Sequence, residues 1–160
     1  MEDCIDSIIQ KASSLIEHGQ NGRGLNMFQM LSDQHPQESK IWLQYALALD
    51  KLAMEEEAIP KYKKALELGL SKEDERIALI CLASSYRNVG QIHSALETIE
   101  QACEKYRQDV AAHCFYSLIL IDDNKPTQAV KTLGGLLLNE VEAQKFDGFF
   151  QALSDKFDDL

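Results

Sequence analysis

The amino-acid sequence predicts an all-α protein, a right-handed superhelical solenoid of about four helix pairs with a helix capping its C-terminal end. With 3 Pro and 8 Gly in 160 residues, the composition leaves little room for turn-dense β structure. Small residues also recur at nearly regular intervals, 37 residues from Ala58 to Ala95 and 34 from Ala95 to Ala129. A period in this range is typical of helical repeats that stack to share one core.

The clearest helix pair spans residues 41–69, with the sequence IWLQYALALDKLAMEEEAIPKYKKALELG. Apolar and small residues spaced three and four apart form one face on each helix, which is the pattern of two amphipathic helices packed together. They are Trp42, Tyr45, Ala46 and Leu49 on the first helix and Ala58, Tyr62 and Ala65 on the second. Gly69 is expected to end the second helix, because glycine readily closes a helix.

The same layout recurs on both sides of this pair. We expect a single domain over residues 1–160, because no helix pair can cover its own apolar face. The repeats are predicted over about 5–38, 39–72, 76–109 and 110–143, with a capping helix over about 141–158. The additional residues between the second and third units fall around 71–75, in a polar loop where an insertion costs little.

The second pair follows the spacing W-x2-L-G-x2-Y…A-x3-F and therefore resembles a tetratricopeptide repeat, or TPR. Two further stretches, EEAIPKYKKALELGLS and LASSYRNVG, are similar to a small bacterial TPR family, most strongly over residues 40–130. The resemblance implies a helical solenoid that binds other proteins, in some cases as a dimer. It implies no reaction, no cofactor and no catalytic residue.

The charge balance excludes several classes of partner. The formal net charge is −10 and the isoelectric point about 4.8, so the chain repels nucleic acid and anionic membranes. The N-terminus carries acids where a secretory signal would carry bases, and no apolar run approaches the roughly 18 residues of a membrane span. We therefore expect a cytoplasmic protein whose four cysteines are reduced.

No constellation of side chains predicts catalysis, a cofactor or a metal site. His113 and Cys114 are adjacent, and neighbours on a helix point about 100° apart, so they cannot share a proton. Gly22-Arg23-Gly24 lacks the strand and the third glycine of a phosphate loop. The acids at Glu55–Glu57 and Asp122–Asp123 lack the spacing of a calcium loop and are expected to be solvated helix ends.

The remaining candidate site is the concave groove that the first helix of each pair lines. A protein or peptide partner is expected there, with packing between pairs as the alternative explanation for Leu43, Leu47 and Leu118. The clamp that some TPR proteins use for acidic chaperone tails is not expected, since Ile9 and Ser13 replace its first Lys and Asn. The predicted lining residues are Ile9, Ser13, Leu43, Leu47, Lys51, Ile80, Ser84, Arg87, Asn88, Cys114 and Leu118.

The C-terminal segment carries an apolar stripe that we expect to be buried, because exposing so much apolar surface to water is unfavourable. It consists of Phe146, Phe149, Phe150, Leu153 and Phe157. If the segment folds back on the fourth pair it is a cap, and if it reaches a second copy it builds a homodimer.

Gly134 and Gly135 precede this segment inside a predicted helix, where they indicate close packing or a local break. Two hypotheses therefore stand: a module that binds a peptide or helix of a partner in its groove, and a scaffold that forms a homodimer through the apolar groove or the Phe-rich C-terminal helix.

Overall fold

The computed structural model describes residues 2–160, with side chains from residue 5 onward. Within this range the chain is helical and has no strand, which confirms the all-α prediction. The helices are α1 (Glu2–Glu17), α2 (Asn21–Gln34), α3 (Ser39–Lys51), α4 (Glu55–Leu68), α5 (Lys72–Asn88), α6 (Ile92–Lys105), α7 (Val110–Asp122), α8 (Pro126–Glu140), a short 3-10 helix (Ala143–Phe146) and α9 (Phe150–Asp158).

The helices stack in pairs along one direction. Each helix packs against the next in sequence, and α1 also contacts α3, α3 contacts α5, and α5 contacts α7. Ala46 and Ala83 on the first helices are completely buried, as are Ala58 and Ala95 on the second helices. These small residues let neighbouring helix backbones approach closely, which is why they recur at the repeat period. The arrangement is an all-α solenoid.

Glycine takes the corresponding position in the first pair. A Cβ atom built on Gly24 would lie 2.5 Å from Cγ1 of Ile16 and 2.7 Å from the carbonyl oxygen of Ala12. Real Cβ atoms do not approach other atoms so closely. The two helices α1 and α2 therefore cross too closely at Gly24 to accommodate even the methyl group of alanine. Gly24 precedes Ala58 by 34 residues and continues the same series.

Equivalent turns join the two helices of each pair. Each turn contains one residue with a positive φ angle, between 55° and 78°. Two of these residues are glycine, which adopts this conformation readily, and two are not. They are Gly19, Ala53, Gly90 and Asn124, separated by 34, 37 and 34 residues.

A polar junction joins the second pair to the third. The Asp50 carboxylate accepts hydrogen bonds from the Tyr62 hydroxyl at 2.6 Å and from the Ser85 hydroxyl at 2.8 Å. Burial raises the pKa of Asp50 despite these two bonds. The three residues lie on α3, α4 and α5, so the bonds fix the register between neighbouring pairs.

The C-terminal segment folds back against α8. It bends at Asp147 and Gly148, which both have positive φ angles. A Cβ atom on Gly134 would overlap the aromatic ring of Phe157, so Gly134 is the site of close packing between α8 and α9. Gly135 has no neighbour within 4 Å of its Cβ position and therefore has no such role.

Candidate functional site: the concave face

The first helices α1, α3, α5 and α7 lie side by side and form the inner face of the stack. Between α1 and α3 this face contains a depression of about 280 Å³. It brings together three of the predicted groove residues, which lie on different helices but face the same space. The lining residues are Ser13, Ile16, Glu17, Gln44, Leu47, Ala48 and Lys51.

Three of the predicted groove residues belong to the core instead. Ile9, Leu43 and Ile80 are each at most 7% exposed. They occupy the same position in the first three units, where the neighbouring first helix covers them. The prediction that they face a partner is therefore corrected, because a side chain with almost no exposed area cannot contact one.

The polar residues of the groove already pair with acids on neighbouring helices. Lys51 lies 3.2 Å from Glu17, and the Asn88 amide donates to Glu55 at 3.1 Å. The first contact joins the C-terminal ends of α1 and α3, and the second joins the C-terminal end of α5 to the N-terminal end of α4. Together they begin a ladder of polar contacts along one edge of the inner face. A partner that binds here must compete with the acids or bind the apolar floor beside them.

The ladder continues to the fourth unit, where Arg87 on α5 forms an ion pair with Asp122 on α7. Along the same inner face Ser84 and Cys114 are half-buried, whereas Leu118 is exposed. The inner face therefore becomes more apolar and more open toward α7.

The aromatic C-terminal segment is only partly covered. Phe146 and Phe150 form an edge-to-face pair with ring centroids 5.6 Å apart, and Phe157 lies against Gly134. Phe149 is 66% exposed. Together with Phe146 and Leu153 it borders a depression of about 400 Å³ on the outer side of α9.

The thiols of Cys81 and Cys103 are not activated. Burial raises the pKa of Cys81, and burial together with the carboxylates of Asp109 and Glu100 raises that of Cys103 to about 11. The side chain of Cys4 lies outside the described residues.

The His113 ring bonds to the backbone, since its Nε2 lies 2.9 Å from the carbonyl oxygen of Arg107. Among residues 5–160, no three or more His, Cys, Asp or Glu side chains form a group that could hold a metal ion. Within the described part of the chain, no helix combines the length and the apolar character that crossing a membrane requires.

Several contributors to the depression were not predicted. Ile16, Glu17, Gln44 and Ala48 line it beside the predicted residues. They lie three or four positions from Ser13, Leu47 or Lys51, so helical spacing could have found them. Residues chosen only at intervals of four lie along a single line on the surface of each helix. The depression is lined by two such lines on each helix.

A stack of helix pairs with a continuous inner face defines a helical-repeat scaffold that binds other proteins. The sequence profile of the tetratrico peptide repeat family (TPR_5) matches residues 39–145, so the chain belongs to this family. No curated protein sequence matches the chain significantly.

Solved structures of TPR proteins share the fold. YrrB, a TPR protein with an unusual peptide-binding site, has a TM-score of 0.69 at 16% identity, over 83% of this chain and 67% of that chain. MamA has a TM-score of 0.71 at 14% identity, over 83% of this chain and 71% of that chain. The MamA RS-1 ArsTM double mutant has a TM-score of 0.68 at 14% identity, over 96% and 94%. At these identities the likeness establishes the fold alone.

Proposed function

We propose that the chain is a cytoplasmic, non-enzymatic interaction module that binds a peptide or helix of a partner protein on its concave face. The observation that supports this is the depression between α1 and α3, where Leu47 and Ala48 provide an apolar floor and Glu17 and Lys51 a charged rim. An apolar floor with a few polar groups at its edge is typical of peptide-binding grooves. YrrB, which shares the fold, is itself described as having a peptide-binding site.

A pair of neighbouring substitutions tests the proposal. Ser13→Arg places a long charged side chain in the depression, whereas Ser14→Arg places the same side chain on the exposed outer side of α1. Each variant is used as bait in an extract of the native host, and captured proteins are identified by mass spectrometry. We expect a partner that wild type and Ser14→Arg capture and Ser13→Arg loses. Identical capture by both variants would place the binding site elsewhere.

Self-association through the C-terminal segment is the second candidate. The exposed Phe149 and the adjoining depression on α9 support it. Phe149→Ser should convert a homodimer to a monomer in sedimentation velocity, whereas Met30→Ser, which removes another exposed apolar side chain, should not. A wild-type chain that sediments as a monomer at high concentration would rule this candidate out.

A further inference from the structure

The fourth helix pair carries an apolar face that the other pairs keep covered. In the second and third pairs, Tyr62 and Ile99 are completely buried, and the first helix of the next pair packs beside them. Leu133 has the same position on α8, 34 residues after Ile99. We call the surface around it the open face, which consists of Leu118, Ile121, Val130, Leu133 and Leu137, all between 40% and 50% exposed.

The exposed Ile121 on α7, like Leu133 on α8, lies at a position that contacts the next pair in the preceding units. Ile121 corresponds to Asp50 in the second pair and to Arg87 in the third. Asp50 bonds to Ser85 of the following first helix, and Arg87 pairs with Asp122 of the following first helix. Ile121 therefore lies where each preceding pair contacts the next one, but no such helix covers it among the described residues.

The C-terminal helix does not close this face. It packs around Gly134, and the Lys131 ammonium donates to the backbone oxygen of Asp158 at 2.8 Å. The residues equivalent to Gly134 in the second and third pairs are Lys63 and Glu100, which face solvent. Thus α9 covers a side of α8 that other second helices leave exposed, and the open face stays uncovered with α9 in place.

Three helices of this chain pack on the equivalent face of a preceding pair, so their residues indicate what kind of helix fits the open face. The helices α3, α5 and α7 each cover the preceding pair with an apolar or small residue at positions i, i+4 and i+7. The central residue is Tyr or Leu, and the outer two are Ala, Ser or Ile. The sets are Ile41, Tyr45 and Ala48; Ala78, Leu82 and Ser85; and Ala112, Tyr116 and Ile119.

A second copy of this chain is a poor match for the open face. The corresponding positions on α1 are Ser7, Lys11 and Ser14, all exposed, so head-to-tail stacking would bury an unpaired lysine. Two open faces meeting across a two-fold axis would bring like charges together, because residues 110–160 contain four Lys and eight Asp or Glu. The excess of acids in this part of the chain instead favours an occupant with basic flanks.

We infer that the open face docks one amphipathic helix of a partner protein, which takes the place of a fifth first helix. The partner helix carries a large apolar residue at i+4 between small or aliphatic residues at i and i+7, with Lys or Arg beside this stripe. This site is separate from the concave depression between α1 and α3. The chain can therefore engage two protein segments at once.

A designed peptide tests the inference directly. The probe is residues 72–88, the whole of α5, with two lysines added at each end. It is labelled with fluorescein and stapled on its outer side so that helix ordering does not mask binding. We expect saturable binding to the full chain by fluorescence anisotropy. Val130→Glu and Leu137→Glu should each weaken binding at least tenfold, because each places a carboxylate in an apolar contact.

Matched controls establish whether the peptide binds at the open face. Met30→Glu changes an exposed apolar residue on α2 and should leave peptide affinity unchanged, as should Ser13→Arg in the concave depression. Absence of wild-type binding, or binding that Val130→Glu and Leu137→Glu do not weaken, would overturn the inference. A wild-type dimer that these two substitutions convert to monomer would also overturn it, by making a second copy the occupant.

Discussion

At the scale of single residues, the repeat shows most clearly in its turns. Gly19, Ala53, Gly90 and Asn124 all have a positive φ angle, although their side chains differ. An L-residue in the left-handed region costs roughly 1–2 kcal/mol because its Cβ approaches the following carbonyl oxygen, whereas glycine has no Cβ and avoids this cost. Ala53 therefore carries strain that Gly90 does not.

Exchanging these residues should change the free energy of unfolding in opposite directions. Ala53→Gly should stabilise the chain by about 0.5–1 kcal/mol, since relief of strain exceeds the greater entropy of glycine in the unfolded state. Gly90→Ala should destabilise it by about 1 kcal/mol. Urea unfolding followed by circular dichroism measures both. Equal midpoints for wild type and Ala53→Gly would show that this turn is not strained.

A pH-dependent contribution arises at Glu75. Its carboxylate contacts the Lys105 ammonium at 2.5 Å and accepts a bond from the Tyr106 hydroxyl at 2.7 Å, and these contacts lower its pKa. A carboxyl with a lower pKa in the folded than in the unfolded state stabilises the fold above the unfolded pKa, and the gain is lost as pH falls. Conversely, burial and the Glu75 carboxylate raise the pKa of Tyr106 to about 12.

Replacing the carboxylate should remove this dependence. We expect Glu75→Gln to be less stable than wild type at pH 7, and the difference to vanish as the pH falls through the depressed pKa of Glu75. Unfolding midpoints in urea between about pH 3 and pH 7 measure the difference. Glu73→Gln, an exposed acid on the same helix, serves as the control. A difference that is constant with pH would mean that the ion pair contributes no stability.

At the scale of the helices, the contact between α8 and α9 depends on one small residue. Phe157 lies in the space that a side chain at Gly134 would fill, whereas Gly135 borders open space. Adjacent glycines in one helix therefore have different roles: Gly134 admits the aromatic ring, and Gly135 only lowers the helix propensity of α8.

Two alanine substitutions should distinguish these roles. Gly134→Ala should displace Phe157 and release α9, so that trypsin cleaves at Lys156 several times faster than in wild type. Gly135→Ala should leave cleavage unchanged and stabilise the chain by up to about 1 kcal/mol through helix propensity. If Gly134→Ala leaves cleavage at Lys156 unaltered, the ring does not anchor α9.

At the scale of the whole molecule, burial is concentrated in the second and third pairs. In a solenoid each unit is stabilised by its neighbours, so units with fewer neighbours open more readily. Six residues are buried on α3 and six on α5, but none on α9, so local opening should be easiest at the C-terminal end.

Amide hydrogen exchange should follow this gradient. We expect the slowest exchange in α3, α4 and α5, intermediate rates in α7 and α8, and the fastest in α9. Mass spectrometry of peptic fragments measures the rates. Binding of the stapled helix to the open face should slow exchange in α7 and α8 specifically. Uniform exchange along the chain would indicate a single cooperative unit instead of a graded stack.

Sequence periodicity was sufficient to predict the helices, their pairing and the small residues at their crossings. This works because the side chains of one helix repeat every 3.6 residues, and apolar spacing therefore reports which side of that helix is buried. Gly24, Ala58 and Ala95 could be aligned for the same reason, since close backbone approach limits the size of a side chain wherever two helices cross.

Only the tertiary structure decided which sides remain open. Ile9, Leu43 and Ile80 follow the same spacing as Ser13 and Leu47, yet the first three are covered by a neighbouring helix and the last two line the depression. Spacing within one helix cannot reveal how the next one crosses it. The position of α9 likewise depends on the fit of an aromatic ring against α8, and that fit leaves the apolar face of the fourth pair uncovered.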